Sequence, residues 1–142
     1  MEKLLIIDDD KGIQKQLKWS LSDYEVVLAS DRESAIAAVR RHEPKVVTLD
    51  LGLPPDEANA SEGLAALQEI LAIAPHTKVI VITGNDDRNN ALKAIAAGAY
   101  DFYQKPIEPD VINVIISRAY TLAAIEEENR NLRASAGNDF GI

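Results

Sequence analysis

The stretch LLIIDDD at residues 4–10 decides the fold prediction, because four apolar residues run directly into three carboxylates. Short apolar runs without alternation are typical of parallel strands that are buried on both faces. Two later runs have the same form: Val46–Leu49 is followed by Asp50, and Val79–Ile82 is followed by Thr83. Ligands of open parallel sheets bind outside the carboxyl ends of the strands. The sequence therefore predicts that these acids and this hydroxyl meet in one pocket.

The residue types predicted to meet there indicate a metal and a phosphoryl group. The chain has no cysteine and no histidine pair at ligand spacing, so its clustered carboxylates form a hard oxygen site that suits Mg²⁺. The acids repel one another unless a divalent cation neutralises them. Lys105 follows the aromatic run of residues 100–103, and a lysine and a hydroxyl are suited to phosphoryl oxygens. The pattern favours an aspartate that accepts a phosphoryl group beside Mg²⁺.

These motifs give the chain a resemblance to the receiver domain of bacterial two-component response regulators. The resemblance covers roughly the first 120 residues, in the family's order and approximate spacing. The matching segments are Ile7–Asp10, Thr48–Asp50, Leu53–Pro54 with a later Gly63, Ile82–Gly84, Gly98–Phe102 and Lys105–Pro106.

The resemblance implies a role for each acid. Asp50 would be the phosphoacceptor. Asp9 and Asp50 would ligate Mg²⁺ directly, together with the backbone carbonyl of Gly52. Asp8 would act mainly through metal-bound water.

The resemblance also implies a switch. Thr83 and Lys105 would bind the phosphoryl oxygens, and the Lys105–Pro106 peptide would be cis. Phe102 matches the family's switch aromatic, and phosphorylation would change the surface formed by helix 4, strand 5 and helix 5. The phosphoryl donor would be a sensor histidine kinase.

The rest of the chain predicts β/α units, since apolar runs alternate with stretches of helical period. We expect strands near residues 3–7, 25–29, 45–49, 78–82 and 100–103. Ser30 and Glu33 fit a capping box at the start of the second helix. The fourth helix is expected from near Asp86 to a left-handed cap at Gly98. The predicted class is α/β, a doubly wound five-stranded parallel sheet of flavodoxin-like order 2-1-3-4-5.

Two departures from the family pattern are visible. The chain between Asp50 and Gly63 is about five residues longer than usual, with a polar, turn-prone piece at Pro55–Ala60. The last helix is expected from Pro109 to about residue 133 and to exceed what a compact domain requires. Its outer part carries a short 3-4 apolar pattern typical of a two-stranded coiled coil, with an asparagine in a core position. The predicted dimer seam is Leu122, Ile125, Asn129 and Leu132.

We therefore expect a receiver domain at residues 1–120, a helical extension at 121–133 and a linker or disordered tail at 134–142. The net charge of −8 argues against nucleic-acid binding by this segment. No apolar stretch is long enough to span a membrane, and no signal peptide precedes the first strand, so the cytoplasm is the expected compartment.

The predicted function is a response regulator receiver that catalyses only its own phosphorylation and dephosphorylation. The expected output is transcription regulation through an effector beyond Ile142, and a stand-alone receiver acting by protein contacts is the alternative. A hydrolase with an aspartyl-phosphate intermediate ranks lower, because such enzymes usually carry a second acid two residues after the nucleophile, where this chain has Gly52. A purely structural assembly module ranks third, since it needs none of the pocket residues.

Overall fold

The computed structural model describes residues 1–56, 59–84 and 87–140, with residues 135–140 described as backbone only. The strands are β1 (Lys3–Ile7), β2 (Glu25–Ala29), β3 (Val46–Asp50), β4 (Lys78–Thr83) and β5 (Asp101–Gln104). The helices are α1 (Lys11–Ser20), α2 (Arg32–His42), α3 (Ser61–Ile73), α4 (Arg88–Ala96) and α5 (Pro109–Phe140). Within the described ranges, no helix combines the length and the apolar character needed to cross a membrane.

The strands form one parallel sheet in the order β2-β1-β3-β4-β5, which confirms the predicted doubly wound topology. The last three strands each end one residue beyond the predicted limit. As a result Asp50 pairs with Ile82, and Thr83 pairs with Gln104, inside the sheet. The strand backbone therefore fixes two of the side chains predicted for the site.

Both faces of the sheet are covered. Successive strand residues point to opposite faces, so Leu5 and Val47 lie in the core beneath α2 and α3, whereas Leu4 and Val46 lie in the core beneath α1 and α5. Burial on both sides explains why the strand sequences are continuous apolar runs.

The structure has a capping box at the start of α2, as predicted, but it is formed by a different pair of residues. Asp10 caps α1 by accepting hydrogen bonds from the backbone N–H groups of residues 12 and 13, at 2.8 and 3.2 Å. The capping box of α2 is formed by Asp31 and Ser34, so the predicted pair Ser30 and Glu33 is wrong by one residue. Gly98 has a φ of +113° and follows α4, in agreement with the predicted left-handed cap. The predicted start of α4 near Asp86 lies outside the described residues.

Helix α5 is longer than predicted. It continues from Pro109 to Phe140, so the backbone at residues 134–140 is helical where the sequence suggested a linker. No proline interrupts this stretch, and alanines at 134 and 136 favour continuation of the helix. At 1.5 Å per residue the helix is roughly 48 Å long. The predicted division of the chain at residue 120 stays a prediction.

The domain holds α5 well beyond its first turns. Tyr120 stacks on Tyr24 with ring centroids 5.0 Å apart, and its hydroxyl donates to the carbonyl of Lys3 at 2.5 Å. Further along, Lys78 forms an ion pair with Glu126. Over residues 109–134, where side chains of α5 are described, the buried ones are Ile112, Ile116, Ala119 and Ala123. The helix is therefore attached to the domain at least as far as residue 126.

Candidate functional site

Three carboxylates meet at the carboxyl edge of the sheet. Asp8 and Asp9 directly follow β1, and Asp50 ends β3, the neighbouring strand. Each offers one oxygen, and these oxygens all lie within 4.8 Å of one another. The convergence predicted from the strand ends is present in the structure.

Asp8 is the buried member of this acid cluster, with 1% of its surface exposed. Its Oδ1 accepts a hydrogen bond from the Asp10 N–H at 2.9 Å, whereas its Oδ2 has no hydrogen-bond partner among the described residues. Burial and the nearby Asp50 carboxylate raise the pKa of Asp8 from 3.8 to about 7. A buried carboxylate oxygen that accepts no hydrogen bond, beside two other carboxylates, fits a hard divalent cation. The acid cluster therefore passes a test for a metal site that is independent of the sequence pattern.

Lys105 spans two of the acids. Its Nζ lies 3.9 Å from Asp8 Oδ2 and 3.9 Å from Asp50 Oδ2. The Lys105–Pro106 peptide is cis, as the resemblance implied. The Lys105 N–H donates to the carbonyl of Thr83 at 2.9 Å, which ties the lysine to the end of β4. One positive charge is thus placed against the acid cluster.

The remaining predicted residues lie on β4, on β5 and directly after β3. Thr83 is buried at the end of β4, and the Gly52 N–H donates to Asp50 Oδ1 at 3.1 Å. Phe102 lies on β5 with 40% of its surface exposed. The loop after Asp50 is anchored by the buried Leu51 and by Leu53. Of the predicted extra piece of this loop, residues 57 and 58 lie outside the described residues.

One residue of the site was missed by the sequence reasoning. Gln14 is only 4% exposed, and its side-chain amide donates to the carbonyl of Asp8. The available signal was its position on α1: it lies three residues before the buried Leu17, on the same face of the helix.

A separate cleft of about 580 Å³ lies at the opposite edge of the sheet, where α5 passes the ends of α2 and α3. Arg40 and Lys45 line it beside the apolar side chains of Ile73 and Ala123. Cations are favoured near helix C-termini, and this accounts for the charges around the end of α2. The acid cluster does not contribute to this cleft.

A doubly wound parallel sheet with three carboxylates and a lysine at its switch point defines a flavodoxin-like α/β protein with an acidic site. The family model of the response regulator receiver domain matches residues 4–117, and the chain belongs to that family.

The curated relatives divide into two kinds. The nitrogen assimilation regulatory protein NtrX of Azorhizobium caulinodans is 32% identical over 132 residues, which are 92% of this chain and 28% of NtrX. The C4-dicarboxylate transport transcriptional regulatory protein DctD of Rhizobium meliloti is 31% identical over 135 residues, covering 94% of this chain and 28% of DctD. The chemotaxis protein CheY of Listeria monocytogenes is 31% identical over 122 residues, covering 84% of this chain and 98% of CheY. The chain thus spans less than a third of the NtrX and DctD relatives.

Solved structures of receiver-containing proteins have the same fold as this chain. NtrX from Brucella abortus in complex with ADP superposes with a TM-score of 0.86 and 34% identity, over 96% of this chain and 30% of that one. The BeF3-activated DrrB receiver domain superposes with a TM-score of 0.75 and 29% identity, over 85% of this chain and 98% of that one. Receiver domains are signalling domains and not a classical enzyme family.

Proposed function

We propose that this chain accepts a phosphoryl group on Asp50, in a Mg²⁺-dependent reaction, from a phosphohistidine of a sensor histidine kinase. The observation that carries the proposal is the meeting of Asp8, Asp9 and Asp50 within 4.8 Å, with the Lys105 ammonium 3.9 Å from two of these acids. This arrangement holds an acidic nucleophile, a metal-ligand set and a phosphate-binding cation together.

In the proposed metal site, Asp9 and Asp50 hold Mg²⁺ directly with the carbonyl of Gly52, and Asp8 contributes through water. The bound cation supplies charge neutralisation for the phosphoryl oxygens. The buried Oδ2 of Asp8, which accepts no hydrogen bond from the described residues, supports this assignment. Asp9 is half-buried whereas Asp8 is buried, and this partial exposure suits a direct ligand.

In the proposed reaction, an oxygen of Asp50 attacks phosphorus in line with the bond to the histidine nitrogen. The new O–P bond forms as the N–P bond breaks, and the electron pair of the broken bond stays with the imidazole ring. Lys105 neutralises charge on the transferred group and then holds the acyl phosphate. In this proposal the chain positions the Asp50 carboxylate, binds the phosphoryl oxygens and accepts the phosphoryl group.

The proposed switch starts from the new charge. A phosphoryl group adds about two negative charges and three acceptor oxygens. The hydroxyl of Thr83 moves to meet them, and the half-exposed ring of Phe102 turns inward. Helices α4 and α5 also expose apolar side chains, and together with Phe102 these form what we name the output face: Leu92, Ile95, Phe102, Val111 and Val114. Movement of Phe102 changes that face directly.

The output we propose is transcription regulation, with this chain as the N-terminal receiver of a longer regulator. NtrX and DctD support this, because each matches this chain over only 28% of its own length. CheY supports the alternative of a stand-alone receiver, since the chain covers 98% of it. A cytoplasmic location is part of the proposal in both cases.

We also propose a homodimer through the predicted seam. Leu122 and Ile125 flank the buried Ala123 by one and two positions, whereas Asn129 and Leu132 lie beyond it. Each position turns the helix by about 100°. Leu122 is half-buried at the border of the stripe, whereas Ile125 and Leu132 are 49% and 60% exposed. Asn129, the polar member of the seam, is exposed as well, so contact of α5 with its own domain leaves most of the seam open.

The test of the proposed function is incubation with acetyl phosphate and Mg²⁺, followed by intact-mass measurement. We expect a single phosphoryl adduct in the wild type, none after chelation of the metal and none in Asp50→Asn. An Asp50→Asn protein that is labelled at the wild-type rate refutes the assignment. A hydrolase of the same architecture would release phosphate from a phosphomonoester, and Gly52 in place of its second acid argues against that outcome.

A further inference from the structure

We propose that Gln14 is a positioning residue that sets the direction of Asp9 toward the metal. The inference rests on the proposed function, because it assigns a new residue to the same site. Gln14 belongs to α1 and not to the acid cluster, and it acts through the backbone that joins Asp8 to Asp9.

The first observation is burial with polar partners. Gln14 is 4% exposed, and its Nε2 lies within hydrogen-bond distance of the Asp8 carbonyl, of the Ala29 carbonyl at 3.3 Å and of Ser30 Oγ at 3.2 Å. A carbonyl oxygen only accepts, so the NH₂ end of the amide must face these two groups. The orientation of the side chain is therefore decided by its neighbours.

The second observation is where the donated hydrogen bond falls. The carbonyl of Asp8 and the N–H of Asp9 belong to one planar peptide unit. Fixing the carbonyl fixes that plane, and with it the positions of the Asp9 N and Cα from which the Asp9 side chain leaves the backbone. Gln14 is thus linked to a proposed metal ligand by a single rigid unit.

The third observation is that the backbone N–H and one carboxylate oxygen of Asp8 are already held. Its N–H donates to the Ala29 carbonyl at 3.0 Å, and its Oδ1 accepts from the Asp10 N–H at 2.9 Å. The Ala29 carbonyl is therefore satisfied without Gln14. The contact that Gln14 adds is the one to the Asp8 carbonyl, so that both backbone polar groups of Asp8 are hydrogen-bonded.

Outer partners of metal ligands change metal affinity by about 10- to 100-fold when they are removed. Gln14→Met keeps the length of the side chain and removes both donors, so we expect Mg²⁺ binding to weaken by about 10-fold in a calorimetric or NMR titration. Gln14→His at pH 8 places a neutral N–H close to the position of Nε2, and we expect it to retain Mg²⁺ binding within about threefold. Gln16→Met is the matched control, since Gln16 is exposed on the same helix.

The outcomes separate the two levels of the proposal. Wild-type protein that does not bind Mg²⁺ refutes the proposed function and this inference with it. If the wild type binds Mg²⁺ and Gln14→Met binds it with equal affinity, the role of Gln14 is overturned and the proposed function is not. This holds even if the variant is less stable. Loss of affinity in Gln14→Met with recovery in Gln14→His supports it.

A measurement on the wild type covers the case in which Gln14→Met does not fold. The side-chain amide resonances of Gln14 are expected to shift during the Mg²⁺ titration together with the Asp9 backbone amide, while those of Gln16 stay unchanged. A shift at Asp9 with no change at Gln14 overturns the inference.

Discussion

Removal of the Asp8 charge is expected to stabilise the metal-free protein at neutral and alkaline pH. The folded chain raises the pKa of Asp8 from 3.8 to about 7, through burial and the neighbouring Asp50. Between these values the folded chain keeps a proton that the unfolded chain has released, so stability falls as the pH rises through this window. The fall is complete above pH 7 and amounts to about 4 kcal/mol at about 1.4 kcal/mol per pH unit.

The part of this effect between pH 5 and pH 8 is measurable by urea unfolding. With EDTA present, the wild type should lose about 2–3 kcal/mol more than Asp8→Asn over this interval, since the asparagine does not ionise. Asparagine still accepts the hydrogen bond from the Asp10 N–H, which keeps the local structure. Mg²⁺ at about 100 times its Kd should return about 2.7 kcal/mol to the wild type at pH 8 and much less to Asp8→Asn.

Asp23→Asn is the matched control, because it is the same chemical change at an exposed carboxylate outside the acid cluster. It should keep the wild-type pH dependence. Any pH-dependent contribution from groups that all three proteins share cancels in the comparison. If wild type and Asp8→Asn show the same change between pH 5 and pH 8 without metal, the argument from the buried acid cluster is refuted.

Two further predictions concern packing and assembly. Gly63→Ala should lose at least about 1–3 kcal/mol in its free energy of unfolding, because an added Cβ would lie 2.3 Å from the Cα of Leu51. Gly84→Ala is the control and should show no such loss, since nothing lies within 4 Å of the position of its Cβ. An equal loss in both variants, measured by urea unfolding, would contradict the close packing at Gly63. The full chain should sediment as a dimer. Ile125→Lys should weaken this dimer and the control Ala124→Lys should not, with both variants folded. A wild type that stays monomeric at high micromolar concentration rules out the seam.

The sheet and the acid cluster were predictable because their signals are local. Each strand is a short apolar run, and each site acid sits where a run ends, so Asp8 and Asp50 were placed without knowledge of tertiary contacts. The capping box of α2 was harder to predict, because two residue pairs have the required spacing of three positions: Ser30 with Glu33, and Asp31 with Ser34. Backbone geometry at the end of β2 decides between them.

Gln14 and α5 show what local patterns leave out. A glutamine in an amphipathic helix looks like a solvent-facing residue, and only the packing of α1 against the ends of β1 and β2 directs its amide to the Asp8 carbonyl. The attachment of α5 depends on ion pairs such as Lys78 with Glu126, which join residues 48 positions apart. Contacts of this range depend on the assembled fold.

The central claim, that Asp50 carries the phosphoryl group, is tested most directly by mapping the acyl phosphate itself. Protein treated with acetyl phosphate and Mg²⁺ is reduced with borohydride, which converts an aspartyl phosphate to homoserine, and the peptides are sequenced by tandem mass spectrometry. The account predicts homoserine at position 50, with Asp8 and Asp9 recovered as aspartate. Homoserine at either of those two positions, or at none in a protein that gained the phosphoryl mass, would contradict it.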